Sequence, residues 1–348
     1  YRNIGHIVLT ECYFIPLSIL LCLWIYERDD VLVLDKKFFK RKINYVALLF
    51  TFLIANNGIA YYPFFTCFIL MVTAVSKLIK TGKIKEGLRG VVATLMVCFF
   101  VVLSILPGKI YTLVHGANSA AVDRAGFEQA ELYGMKIAQL FMPVNGHGIY
   151  DHYIDIYNDN AFLVTENSTA YLGIIGMIGF IILMLCLFSK KDTALSKRLG
   201  YISELNITMV LLGTIGGIGA MFAFFISPML RGYNRISIFI EYACILAVAL
   251  IVSSFVEKLK LRIKKKEKRR ITFNIVLYGM VTLFGCICIF SIWEGCPALA
   301  EPAYDTIEAE YTSDKEFVET IESEVEPGAM IYQLPYHKYP EEGPVNDM

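Results

Sequence analysis

The sequence predicts an all-α polytopic membrane protein with about eight transmembrane segments. It also predicts an interfacial helix in a large external loop and the start of a small external α/β domain. Three observations carry this reading. Of the 348 residues, 56% are hydrophobic and 18% charged, the latter below the roughly 25% of a soluble domain. The apolar residues gather into blocks near the ~20 residues that cross a hydrocarbon core. The basic residues fall in four clusters between those blocks: Arg28 to Lys42, Lys77 to Arg89, Lys190 to Arg198 and Lys258 to Arg270. Together these hold 24 of the 32 Lys and Arg residues, and the positive-inside rule places them in the cytoplasm.

Sidedness then fixes the crossings in order. The first span is His6–Tyr26. The apolar run between Lys42 and Lys77 is too long for one crossing and folds back at Asn56-Asn57-Gly58. Its first arm, Ile43–Ala55, is short for a span at 1.5 Å per residue. Gly90–Leu106 and Tyr171–Phe188 flank the organising loop, Pro107 to Ala170. Ile202–Ile226 and Ser237–Val256 follow, joined by an outer turn from Ser227 to Arg235. Ile271–Trp293 is the last span, so residues 1–293 form the transmembrane domain. Trp24 and Trp293 stand at span ends, where interfacial aromatics sit. The nine cysteines read as small buried hydrophobes, with no zinc spacing.

From Glu294 onward the chain carries fourteen acidic residues against Lys315 and Lys338. Ser313-x-x-Glu316 is a capping-box pattern that predicts a helix to about Val325. Pro327-Gly328 turns into a strand-like run, Ala329–Leu334. Residues 294–348 therefore read as the start of an extracytoplasmic α/β domain. The chain begins with Tyr1 and stops before that domain can close a core, so it reads as a fragment.

The organising loop holds three of the five histidines, His115, His147 and His152. Within it, Ser119 to Met142 reads as an interfacial helix with Val122, Ala125, Ala130, Tyr133, Ile137, Leu140 and Phe141 on one apolar face. Candidate catalytic groups are His147, Asp151, His152 and Glu166, any of which suits a general base on a sugar hydroxyl. His147, His152 and Asp155 are candidate ligands for a divalent metal ion, although their spacing is not distinctive. Taken one at a time, each of them is read first as solvating an external loop or pairing with a neighbour.

Arg231 and Arg235 are the sharper signal. On a continuous helix they share a face, and they sit at the outer surface against the charge bias. The planar guanidinium fork suits phosphate, so they are the candidate site for the phosphate of a lipid-linked substrate. Snorkelling to lipid headgroups is the alternative. Glu241, inside the following span, is an intramembrane acid. Lys258 to Arg270 does not indicate nucleic acid, since it lies between two spans where basic residues meet anionic lipid.

The plan as a whole resembles the GT-C superfamily of cell-envelope glycosyltransferases that use polyprenyl-phosphate sugars, and the neighbouring YfhO-like membrane proteins. Locally the resemblance rests on Gly58-Ile59-Ala60-Tyr61-Tyr62, on Gly134-Met135-Lys136-Ile137 running to Pro143 and His147, and on Glu166-Asn167 before Tyr171-Leu172-Gly173. It implies inverting transfer of a sugar from a polyprenyl-phosphate donor to a glycan or lipid acceptor at the outer face of the cell membrane. It also implies a catalytic acid in the first external loop, which no carboxylate here matches. A polysaccharide polymerase, a flippase or transporter, and a phosphoglycerol-type transferase remain alternatives. No repeat supports a transporter, and the spans are mostly apolar apart from Asn206, Glu241 and Asn274.

Overall fold

The computed structural model describes residues 7–58, 60–116, 126–143, 146, 150–162, 170–264, 270–296 and 303–332, with side chains omitted at 7, 8, 262–264 and 270–277. Among these residues there is no strand, and four helices are long and apolar enough to cross a membrane. They begin at Tyr61, Ile84, Tyr233 and Tyr278. The chain divides into two units, one of residues 1–118 with 124–297, the other of 119–123 with 298–348.

The helices of the first unit are α1 (Ile15–Glu27), α2 (Lys42–Ala55), α3 (Tyr61–Thr81), α4 (Ile84–His115), α5 (Glu128–Leu132), α6 (Asp151–Asn160), α7 (Gly173–Phe188), α8 (Ala194–Gly213), α9 (Ile218–Phe225), α10 (Ser237–Lys264) and α11 (Arg270–Gly295). Apolar side chains on their outer faces stay exposed, including Phe99 and Val102 on α4, Ile181 and Leu185 on α7, and Val281 on α11. An exposed apolar surface of this extent is a lipid-facing surface.

Several expected boundaries move. The first helix starts at Ile15 and not at His6, because Pro16 sits in its first turn, where a missing N–H costs nothing. Short 3-10 turns precede it. The fourth helix runs through Pro107 to His115, so the first nine residues assigned to the loop are helical. Its last two turns are exposed, and solvent or lipid headgroups can meet the carbonyl that Pro107 leaves unpaired. At 32 residues it is about 48 Å long, well beyond a ~30 Å core.

The expected single span Ile202–Ile226 is broken. α8 ends at Gly213, and α9 begins at Ile218 after a turn containing Gly216 at φ +69°. The break is held by backbone hydrogen bonds: Met135 N donates to Gly213 O at 2.7 Å, and Ile215 N donates to Met135 O at 3.1 Å. These two bonds pull residues 213–215 out of the helix. They also keep 119–142 from forming the continuous interfacial helix expected. Its described part is the five-residue α5 and a 3-10 turn, Ile137–Leu140, while residues 119–125 lie outside the described set.

Three of the four basic clusters, those at 28–42, 77–89 and 190–198, meet at one end of the bundle, and most of the fourth lies outside the described residues. Arg89 is 1% exposed. It donates from Nε to Val31 O at 2.8 Å, from Nη1 to Glu86 at 2.7 Å, and from Nη2 to Arg28 O. Arg198 grips Glu27, and Lys80 and Lys191 share Glu204. α3 stops there at Gly82, whose φ of +65° closes the last turn onto Leu78 O.

α3 and α4 pack closely, with Gly90 against Leu70 O and the thiols of Cys67 and Cys98 3.9 Å apart. The two sulfurs are in contact, so copper phenanthroline should join the two cysteines within one chain with a small shift of the side chains. Peptide mass spectrometry of the oxidised protein reads the link, and its absence would displace this helix pairing.

In the second unit the helix α12 spans Tyr304–Glu324. It opens nine residues before the capping box at Ser313, because Tyr304, Ile307 and Tyr311 already carry a helical apolar stripe and Asp305 suits the first turn. Ala329 donates to Glu326 O at 2.9 Å across Pro327-Gly328, which is the expected turn. Residues 329–332 form no strand, since no partner segment is placed beside them among the described residues; 333 and 334 lie outside. Of the expected α/β domain the described residues show a helix and a turn and no strand.

Candidate functional site

Arg231 and Arg235 come together with the organising loop at the bundle end away from the basic clusters. The local backbone explains why. Arg231 and Gly232 are not helical, and a 3-10 turn, Tyr233–Ile236, leads into α10. The two arginines therefore do not share a helix face, as equal spacing on a continuous helix implied. They diverge onto two different tyrosines.

The Arg231 guanidinium lies 5.0 Å from the Tyr133 ring centroid, and its Nη1 donates to Gln129 Oε1 at 2.9 Å. Arg235 folds back over Gly232 and stacks 4.1 Å from the Tyr61 ring centroid. A side chain at residue 232 would collide with it, since an added Cβ would stand 2.9 Å from Arg235 Nε. Each stacking contact is worth roughly 0.5–2 kcal/mol, depending on desolvation.

The loop is fastened to this turn by backbone. Asn234 donates to Tyr133 O at 3.1 Å, and Gly216 donates to Glu131 Oε2 at 3.0 Å. Phe127 packs edge-on to Phe224, and Phe141 to Phe180. Gly213 permits the closeness, because Ile236 Cγ2 lies 2.6 Å from where its Cβ would be.

Neither arginine has a carboxylate partner among the described residues. Arg235 Nε and the Tyr233 hydroxyl are buried without a hydrogen-bond partner among the described residues. The nearest acid along the chain, Glu241, is half-buried on α10 and makes no ion pair with either. The opposite end of the bundle shows the contrast, since there Arg198, Lys80, Lys191 and Arg89 all meet carboxylates. Two cations held on neutral surfaces, with donors unspent, have the chemistry to accept an anion.

The other sequence candidates scatter. His147 and Glu166 lie outside the described residues. Asp151 opens α6 and accepts from Gly146 N at 2.9 Å. His152, beside the Tyr153 ring, and Asp155 are exposed on α6. They stand three apart on that short helix, but no three His, Cys, Asp or Glu side chains among the described residues are placed to hold a metal ion. His115 stacks on Tyr111 at the end of α4, with ring centroids 4.2 Å apart.

Sequence reading missed three contributors. Tyr61 and Tyr133 support the guanidiniums, and both stood in quoted stretches without a role. Glu294, taken as the start of the acidic tail, is 2% exposed. It accepts from the Tyr171 hydroxyl and from Ile174 N at 3.1 Å, capping α7 beside the loop. Burial and that carboxylate push the Tyr171 hydroxyl above the usual tyrosine range. No family model, curated protein or solved structure matches the chain.

Proposed function

We propose that the chain belongs to an integral membrane transferase that moves a sugar from a polyprenyl-phosphate donor to a cell-envelope glycan or lipid acceptor. In this reading the basic end of the bundle is cytoplasmic, and the organising loop, the arginine turn and the C-terminal unit are extracytoplasmic. Arg231 and Arg235 hold the donor phosphate and steady it as the leaving group. The acceptor hydroxyl needs a base, for which His147, Asp151, His152 and Glu166 remain the candidates; a divalent metal ion on His147, His152 and Asp155 stays an open addition.

The single observation that carries the reading is the pair of guanidiniums stacked on Tyr133 and Tyr61 without a carboxylate, with Arg235 Nε unpartnered. A buried donor left unbonded costs about 1–3 kcal/mol, and a phosphate oxygen at that position removes the cost. Tyr61 opens α3, next to the turn at Asn57 and Gly58. The site therefore lies where a lipid-borne phosphate meets the bundle end.

The test uses full-length protein in membranes with radiolabelled polyprenyl-phosphate sugars. Label should pass to a glycan or lipid acceptor. Arg235→Gln should lower transfer by about 10- to 150-fold, the equivalent of roughly 1.5–3 kcal/mol in a charge-assisted bond. Transfer unchanged in both Arg231→Gln and Arg235→Gln would return the pair to ordinary headgroup contacts. No transfer from any donor by folded, inserted protein would favour the polymerase, flippase or phosphoglycerol-transferase alternatives.

A further inference from the structure

We propose that the basic end of the bundle carries a binding site for one anionic phospholipid, with an acyl chain along α3 and the phosphate on Lys80 and Lys191. This does not depend on the transferase reading, since it concerns the opposite end of the molecule.

A groove of about 500 Å³ runs between α3 and α8. Phe68, Met71, Val75 and Ile79 form its wall, and Ser76, Lys80 and Glu204 stand at its polar end. From Phe68 to Lys80 is about 18 Å along the helix axis, a little over half of a ~30 Å hydrocarbon core. The groove thus has the length of one acyl chain in one leaflet. Its wall is exposed, with Val75 at 51% and Ile79 at 75%, so it faces lipid and is not filled by the protein.

Charge at the polar end selects the headgroup. Glu204 takes Lys80 at 2.7 Å and Lys191 at 2.8 Å, and Ser76 donates to it at 2.9 Å. One carboxylate facing two ammonium groups leaves one positive charge in excess. Lys80 also donates to the Tyr26 hydroxyl at 2.9 Å. Lys191 has no hydrogen bond other than that to Glu204 among the described residues, and an ammonium has three donors. Its remaining N–H groups are available to phosphate oxygens. Neighbouring cations do not compete, because Arg198 is held by both oxygens of Glu27, and Arg89 and Lys77, which share Glu86, are buried away from the lipid, at 1% and 8% exposed. A slender apolar groove ending in one uncompensated cation, at the level where basic residues meet the bilayer surface, fits a lipid of net negative charge.

The experiment uses the full chain in detergent micelles, with dioleoylphosphatidylglycerol and dioleoylphosphatidylcholine added separately and bound lipid read by native mass spectrometry. One phosphatidylglycerol should be retained at least tenfold more tightly than phosphatidylcholine. Lys80→Gln with Lys191→Gln should erase that preference, at about fivefold per lysine. Glu204→Gln, which removes the competing carboxylate, should leave retention equal or stronger. Val75→Trp should fill the groove and release the lipid; Met71→Trp is the second probe of the same space should Val75→Trp not fold. Equal retention of the two lipids would overturn the proposal. So would retention in both tryptophan variants, release by soluble glycerol phosphate, or a groove-dependent dimer in place of bound lipid.

Discussion

Arg89→Ala should destabilise the detergent-solubilised protein by about 3–5 kcal/mol, the range for removing one partner from a buried charged network. The guanidinium spans three separate acceptors, two of them backbone carbonyls in the 28–31 connection and the third Glu86 on its own helix. It ties the end of α1 to the start of α4. Alanine leaves those carbonyls without a donor in a place that is 1% exposed. Arg89→Lys should recover only part of the loss, because a point ammonium cannot fork to both carbonyls and the carboxylate. The midpoint of thermal or denaturant unfolding measures it. A change under about 1 kcal/mol, within the range of an exposed ion pair, would mean that water or lipid headgroups replace the arginine.

Gly179→Leu should have a comparable effect by a different route. An added Cβ at residue 179 would lie 2.2 Å from Cys244 O and 2.6 Å from Cys244 C. The obstacle is backbone, so no rotamer change relieves it, and α7 must move away from α10. Small residues permit such close helix crossings in membranes. Gly179→Ala should cost about 1–3 kcal/mol as overpacking, and leucine should reduce the monodisperse fraction on size exclusion severely. Gly279→Ala is the matched control, because nothing stands within 4 Å of its Cβ position. Equal behaviour of the 179 and 279 variants would show that α7 and α10 are not in contact there.

These two positions show how much of the molecule was legible. Blocks of apolar residues announce membrane helices without any structural help, and the basic clusters sort the connections to one end. Arg89 was visible only as a member of such a cluster. Nothing in a run of lysines and arginines tells which one turns inward, since that depends on which carbonyls the preceding connection leaves open. The break at Thr214 was hidden for a related reason. Residues 209–212 before the break and 218–226 after it are apolar, so the sequence pattern continues across an interruption made by backbone bonds to Met135. Only the cluster Gly213, Gly216 and Gly217 hinted at it.

The candidate site was half legible. Arg231 and Arg235 stood out because they oppose the charge bias, which is a property of sequence position. Their surroundings did not, because Gln129 and Tyr133 are about a hundred residues away and Tyr61 is further still. The assumed helical face was wrong because Gly232 and the 3-10 turn after it break the geometry on which four-residue spacing relies. Conversely, the loop was taken to begin at Pro107 although α4 passes through it. The exposed end of that helix has no packed neighbours to be disturbed by the missing bond.

The capping of α7 by Glu294 has a consequence for the order of biosynthesis. The carboxylate that accepts from Ile174 N is encoded 120 residues after it. At about 5–20 residues per second, a ribosome takes roughly 6–24 s to reach Glu294 after making Ile174. For that interval the first turn of α7 is without the acceptor that Glu294 supplies, and the loop before it lacks this anchor. Closure of this corner is thus among the final events of the first unit's assembly, set by the emergence of α11 and not by the insertion of α7.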